Sequence, residues 1–514
     1  MRQVSPPPIL CLYAVSAGVS AGRFFSAGTG YFQARRRVCR ESTPWKRLSS
    51  WHLYLRFCCL LNGTIRSCAA ASASVSDRQR PDGRSRIGVC TDPLTVIEDP
   101  FGRASRRAAF EALQAFLPRA GSEYSSRRDF DLGPGEHDNV SGLSPYIRHR
   151  LINETEVLAA VLQQHGASGA SRFVQEVFWR SYFKGWLEHH PSVWRDYRAK
   201  VSGLIDSLGA NPGLRKRYES ALHATTGIEC FDAWVTELTT TGYLQNHARM
   251  WFASIWIYTL GLPWQLGADF FYRHLLDADP ASNTLSWRWV CGLHTKGKTY
   301  LARAANISRY TRGRFDPDGL LAEEAPPLHE GKIHSTRSLP PAQSIPADAR
   351  FGLLVTEDDC SPESLLPGET PHAVMGAVTT ESRSPLPVGF GARRFTTGAV
   401  AEATERAARR FGIPAQSAHS DDWNDALLAW AGSNGLDTIV TAYAPVGPVA
   451  ERLAMARRAL ASNNVELIQL RRSYDERVWP HTTRGYFKLK SRIPFLLREL
   501  ELTGPDDASQ RAAG

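Results

Sequence analysis

The sequence predicts an all-helical domain followed by a doubly wound α/β domain, and three observations carry that reading. Apolar residues recur at helical spacing from about residue 93 to residue 315. A polar, proline-rich stretch then runs from Asp316 to Asp348 (APPLHEG, LPPAQSIP) and reads as a linker. Beyond it, short continuously apolar runs alternate with helical segments, the texture of a parallel sheet buried on both faces.

In the first domain, Arg107–Phe116, Glu154–Leu162, Phe173–Leu187 and Cys230–Leu238 each place apolar residues on one helical face. Met250–Leu260 is apolar on nearly every side, which predicts a buried central helix, and Trp264–Leu276 predicts another. In the second domain, Phe351–Val355, Val374–Val378, Thr438–Thr441 and Val465–Leu470 read as strands. Ala401–Phe411, Trp423–Ser433 and Val449–Ser462 read as the helices between them. The expected organisation is a leader over 1–92, a helical domain over 93–320, a linker over 321–348, an α/β domain over 349–500 and a disordered tail over 501–514.

The leader stands apart in composition. Residues 1–76 carry ten Lys or Arg and one acid, so nearly all of the net charge of +10 sits there. Overall basicity is therefore no argument for nucleic-acid binding. An Arg- and Ser-rich, acid-poor segment fits an organellar transit peptide, while the apolar Ile9–Ala21 fits a secretory signal. A start of translation further downstream would remove the segment altogether. The chain is expected in a mitochondrion or chloroplast in the first case and in the cytoplasm in the last. Nine cysteines with no CxxC pair predict neither a zinc site nor an iron–sulfur cluster. No apolar run reaches the roughly 18–20 residues that span a bilayer, so no membrane association is expected.

Four segments carry the candidate chemistry: EYSSRRDF, VSGLSPY, QEVFWRSYF and the stretch 242–289, which contains GYLQNHARM and DADPASNTLSWRW. In VSGLSPY the serine hydroxyls and the backbone N–H groups ahead of a helix suit an anion, although Ser-Pro also simply starts helices. Read alone, QEVFWRSYF is an amphipathic helix with a Glu–Arg pair, and an Asp-x-Asp pair is more often a metal ligand or a cap. Lone tryptophans mostly pack cores.

Taken together these segments resemble the flavin-cradling core of the DNA photolyase/cryptochrome family, with the domain order reversed. The resemblance implies FAD as cofactor, held by Tyr124, by Val140, Ser141, Gly142, Leu143 and Ser144 at the diphosphate, and by Arg180, Asn246, Arg249, Asp277, Asp279 and Asn283. Gly142 stands where the family has an arginine, a loss that Arg128 or Arg148 would have to make good. It further implies that Glu176, Trp179, Met250 and Trp289 meet a damaged base. Glu176 and Trp179, three apart, share a helix face. Trp287 and Trp264 would relay electrons; the third family tryptophan has no counterpart near Ala199–Gly203, and Trp194 is close in sequence but unaligned. Met250, where (6-4) photolyases carry a histidine, favours cyclobutane-dimer chemistry, and Asn283 favours a photolyase over the cryptochrome branches that carry aspartate or cysteine there.

The activity implied is that of a deoxyribodipyrimidine photolyase-like carbon–carbon lyase: light-driven repair of cyclobutane pyrimidine dimers in DNA by electron transfer from reduced FAD. The alternative is a cryptochrome-like blue-light photoreceptor that binds FAD without repair. The implied partner is DNA containing pyrimidine dimers, bound by a monomer. The C-terminal Rossmann-like domain could hold a second, antenna chromophore.

Overall fold

The computed structural model describes residues 103–418 and 423–502. The expectations for the leader, for residues 93–102 and for the chain beyond 502 lie outside the described residues.

The helical half is built from amphipathic segments that start where the sequence supplies a cap. Ser105 accepts the Ala108 N–H to open Arg106–Phe116. Glu156 reaches back to the Asn153 N–H at 2.8 Å to open Glu154–Gly169, one half of a capping box. Ser171–His189 follows, then Pro191–Leu208, Pro212–Leu222 and Glu229–Thr241. The expected central helix is present as Asn246–Ser254, continued by one π turn over Ile255–Thr259, and His247–Ser254 are all buried. Trp264–His274 and Pro280–Val290 pack beside it. No helix among the described residues is long and apolar enough to cross a membrane.

The second half centres on five parallel strands: β1 (Phe351–Thr356), β2 (Ala373–Ala377), β3 (Ala415–Ser417), β4 (Thr438–Ala442) and β5 (Glu466–Leu470), in the order β3-β2-β1-β4-β5. Strand periodicity sends alternate side chains to opposite faces. Leu353, Val355, Val374, Val440 and Ile468 join the core that holds the Phe390–Phe411 helix and the helical half. Leu354, Met375, Ile439 and Leu467 join a second core with the Trp423–Asn434 and Pro448–Ala461 helices. The helix expected at Ala401–Phe411 starts eleven residues earlier, at Phe390, and the short edge strand β3 was not anticipated.

The two halves are locked by buried charge. Arg148 donates to Ala278 O and to Asp358, both at 2.7 Å. Arg150, in a left-handed backbone conformation (φ 50°), grips both oxygens of Asp475 at 2.7 and 2.8 Å. Removing one partner of such a pair strands a buried charge, which costs about 3–5 kcal/mol. The proline-rich stretch 321–348 has no helix or strand, yet it is fastened along its length. Glu330 receives Arg288, the Arg337 N–H donates to His189 O, and Gln343 accepts the Gln469 N–H of β5. After β5 the chain returns to the helical half. Tyr474 meets Ser181 at 2.7 Å, and Trp479 and Thr482 press on Gly185.

Candidate functional site

A partly open cavity lies inside the helical half. One wall is a single stripe of the Ser171–His189 helix, Phe173, Glu176, Val177 and Arg180, the i, i+3, i+4, i+7 spacing that puts four side chains on one face. Facing it are Tyr124 and Arg128, the loop Val140–Gly142 with Ser144 and Ile147, and Tyr243, Leu244, Asn246 and Arg249 at the start of the central helix. Asp277 and Ser282 complete the lining. Ten of the candidates, Tyr124, Val140, Ser141, Gly142, Ser144, Glu176, Arg180, Asn246, Arg249 and Asp277, therefore meet in one space.

Each is positioned by a local device. The Ser141 hydroxyl accepts the Leu143 N–H at 3.3 Å, and Gly142 sits at φ 62°, so the loop takes a left-handed turn that a β-carbon would strain. Leu143 itself is buried beneath the loop. The helix that follows, Ser144–Arg148, is one short turn. An anion placed there would meet hydroxyls and loop N–H groups, not a long helix dipole. Gln245 caps the central helix through Ala248 N and donates to Arg128 O at 2.6 Å, which explains a glutamine at that point and draws Arg128 to the cavity. Arg249 and Asp277 form a two-pronged pair at 3.0 and 2.9 Å, while Arg249 Nε donates to Leu244 O.

Three guanidinium groups (Arg128, Arg180, Arg249) against two carboxylates (Glu176, Asp277) leave the lining net positive. Arg128 lies 3.0 Å from Glu176. Of the two arginines able to replace the missing one at Gly142, Arg128 lines the cavity. Arg148 does not; its guanidinium is spent on the junction with Asp358. At the carboxyl ends of the sheet strands His149 adds to that plug, its Nδ1 at 2.7 Å from Glu357 O.

The other candidates lie outside this lining. Asp279 accepts the Ser282 N–H at 2.7 Å and pairs with Arg180 at 3.4 Å. Burial alone would raise its carboxyl, but Arg180, Lys184 and Arg148 outweigh that and hold it at about 2. Asn283 is buried with its amide donating to Ala268 O at 2.8 Å. Met250 is fully buried. Trp179 does not share the cavity face with Glu176. Its ring turns to Tyr182 and Phe183 and stacks on Tyr486. Trp289 stacks on Tyr300 at 5.9 Å. Trp287 packs among Phe271, Phe252 and Trp256, and Trp264 stacks on Tyr197.

The sequence reading missed Phe173, Val177, Ile147, Tyr243, Leu244 and Ser282 as lining residues. Helical spacing from Glu176 and Arg180 would have found the first two.

The lining suits a molecule with an anionic middle and flat, partly apolar ends. It combines arginines and hydroxyls with Tyr124, Phe173 and Tyr243. Two of its buried polar atoms, Arg180 Nε and Ser282 Oγ, have no hydrogen-bond partner among the described residues. Buried polar groups are normally paired, so both atoms are available to a ligand. A flavin dinucleotide fits this donor set.

Residues 173–330 match the family model described as the FAD binding domain of DNA photolyase. Curated relatives include the deoxyribodipyrimidine photo-lyase of Thermus thermophilus, 31% identical over 222 residues, covering 43% of this chain and 50% of the relative. That of Agrobacterium fabrum is 32% identical over 191 residues, 36% of this chain and 37% of the relative. A cryptochrome DASH of Idiomarina loihiensis is 24% identical over 250 residues, 47% of this chain and 53% of the relative. The chain thus spans about half, or less, of the length of these curated relatives. Among solved structures, a bacterial class III photolyase from Agrobacterium tumefaciens aligns at 29% identity over 40% of this chain and 42% of that chain, with a TM-score of 0.34.

Proposed function

We propose that this chain, whose residues 173–330 match the FAD binding domain of DNA photolyase, is a member of the photolyase/cryptochrome family that binds FAD and repairs cyclobutane pyrimidine dimers in DNA under blue light. The observation that carries the reading is Glu176. It is set in the same cavity wall as Arg180 and opposite the Arg249–Asp277 pair, so a carboxylate for the damaged base shares a space with groups that hold the cofactor.

FAD, when bound and reduced, supplies the light-driven electron that splits a dimer and takes it back, chemistry that belongs to the cofactor. The protein's residues do the rest. Arg128, Ser141 and Ser144 would hold the diphosphate, with Tyr124 beside it. Arg249, its charge balanced by Asp277, would hold the ring system together with Asn246, while Asp279, paired with Arg180, and Asn283, bonded to Ala268 O, would support the site from behind the lining. Glu176, 3.0 Å from Arg128, would accept an N–H from the pyrimidine and steady the charge that develops there. Flipping a dimer out of the duplex requires only a few kcal/mol, because a damaged base is already poorly stacked.

A second reading, a photoreceptor without repair, is favoured by one observation: the ring face of Trp179 is covered by Tyr486. Illuminating the FAD-loaded, reduced protein with thymine-dimer DNA and measuring monomer recovery separates the two. No recovery sinks the repair reading. Glu176→Ala should abolish recovery while leaving flavin content close to that of the wild type; equal losses mean that Glu176 is structural. The domain order we read as reversed relative to the family, with a Rossmann-like unit second. An antenna chromophore there would have to bind away from the strand ends that Arg148 and His149 fill, and an extra near-ultraviolet absorption band would reveal it.

A further inference from the structure

We propose that His189 is a proton-operated clasp. With both ring nitrogens protonated it fastens the stretch 321–348 and the returning C-terminal segment to the end of the cavity-wall helix; when it gives up one proton, the C-terminal segment loosens. The clasp itself does not depend on the repair reading.

Both nitrogens of the ring face carbonyl oxygens. Nδ1 lies 2.8 Å from Arg337 O and Nε2 lies 3.1 Å from Trp479 O. A carbonyl oxygen only accepts, so each contact calls for an N–H. A neutral imidazole has one N–H and sets a lone pair against the second oxygen, whereas the imidazolium donates to both. The residue is buried, so water does not relieve the mismatch. His189 is also the last residue of Ser171–His189, where the helix dipole favours a cation. The next residue shows the contrast. His190 sets Nδ1 on Trp186 O but Nε2 on the Thr336 hydroxyl, which can itself donate, so a neutral ring satisfies both contacts.

The two carbonyls are not equivalent. Trp479 O already accepts the Thr482 N–H at 3.0 Å and the Thr482 hydroxyl at 2.7 Å. Arg337 is tied to the helix end twice more, its N–H to His189 O at 2.8 Å and its Nε to Glu188 O at 3.0 Å. A neutral ring therefore keeps its one N–H on Arg337 O and turns its lone pair against Trp479. Trp479 heads the turn that presses on Gly185, 2.8 Å from where a β-carbon would stand there. Seven residues further on, Tyr486 covers Trp179. Loosening at Trp479 thus uncovers the back of the cavity wall.

The charged and titratable groups around the ring leave this logic intact. Glu188 takes the Tyr443 hydroxyl and the Val446 N–H and lies 3.5 Å from Arg337, so those two charges offset each other. His190 and His481 are both lowered chiefly by burial. His334 sits between Ser192 and Glu330. The closed form holds the second proton more tightly than the open one, so opening rises with pH. One proton limits that rise to about tenfold per pH unit.

Two measurements on the full-length protein test this. Nitrogen-15 spectra should show both His189 ring nitrogens protonated at pH 6 and one deprotonated at pH 8, the range in which histidines change charge. Amide hydrogen exchange, corrected for its intrinsic pH dependence, should show protection over residues 479–486 falling about tenfold or more between those values, while the sheet strands keep theirs. His189→Gln, whose amide donates on one side and accepts on the other, should give the low protection at both values. A ring that is neutral at pH 6 overturns the proposal, and that result needs no variant. So does protection that stays constant while the ring titrates, or His189→Gln retaining the wild-type pH dependence. A clasp that titrates in a protein that repairs no dimers defeats only the repair reading; repair in a protein whose His189 stays neutral defeats only the clasp.

Discussion

Tyr486 lies face to face on Trp179, with ring centroids 3.4 Å apart and planes 10° from parallel. Its phenol donates to Gln175 O at 2.9 Å, which fixes the ring in place. A base stacked on an aromatic ring gains about 1–3 kcal/mol, so any base that uses Trp179 must first displace this tyrosine.

Tyr486→Ala should therefore tighten binding of dimer-containing DNA by about fivefold or more. Fluorescence anisotropy at one fixed salt concentration measures it. Unchanged affinity would show that Trp179 is a packing residue only.

Asp277→Asn leaves the buried Arg249 without its counter-charge, at a cost of about 3–5 kcal/mol. Melting temperature should fall. In the wild type, added FAD should raise it by mass action, and in the variant that rise should disappear. A variant still stabilised by FAD as strongly as the wild type would remove Arg249–Asp277 from the cofactor site.

Glu237 stands behind the cavity, 3.6 Å from His137, which packs on Tyr243. Burial, reinforced by Asp131 and only partly opposed by Arg314, raises its carboxyl from 4.5 to about 8. Between those values the unfolded chain binds fewer protons at this site than the folded one, so its contribution to stability falls as pH rises. His137, lowered chiefly by burial, acts in the opposite sense below its ordinary 6.5. Glu237→Gln removes the first effect alone. Relative to the wild type, the variant should gain stability progressively from pH 5 to pH 8, read from denaturant midpoints at constant slope.

Gly267→Ala drives a methyl into Trp287 and Trp256, whose ring atoms lie 2.3 and 2.9 Å from its β-carbon. Overpacking of this kind costs about 1–3 kcal/mol. Tryptophan emission should shift as the two indoles move; an unshifted spectrum with unchanged stability would refute the close packing.

The helices and strands were legible where one period dominated. Asn246–Ser254 and β1 are examples, each apolar through the run that the fold buries. The first half of the Phe390–Phe411 helix was not, because Gly391, Gly398 and two threonines dilute the helical pattern, and Thr396 is held by the distant Arg383. The cavity was legible as motif residues, but the division of labour within it was not. Trp179 and Glu176 are near neighbours on one helix, and only the distant Tyr486 reveals that they serve different spaces. Arg148 and Arg128 looked interchangeable until Asp358 claimed one of them.

The return of residues 473–499 to the helical half has a consequence for biogenesis. During synthesis the Ser171–His189 helix emerges well before Tyr474, Trp479 and Tyr486, which back it. The nascent chain therefore carries a bare apolar flank along the very helix that walls the cavity, a surface that chaperones would shield. If the cavity holds a flavin, its capture should wait until residues 473–499 have folded back onto that helix. Stalled chains that end before Ser473 should lose flavin on washing, whereas released full-length chains should keep it.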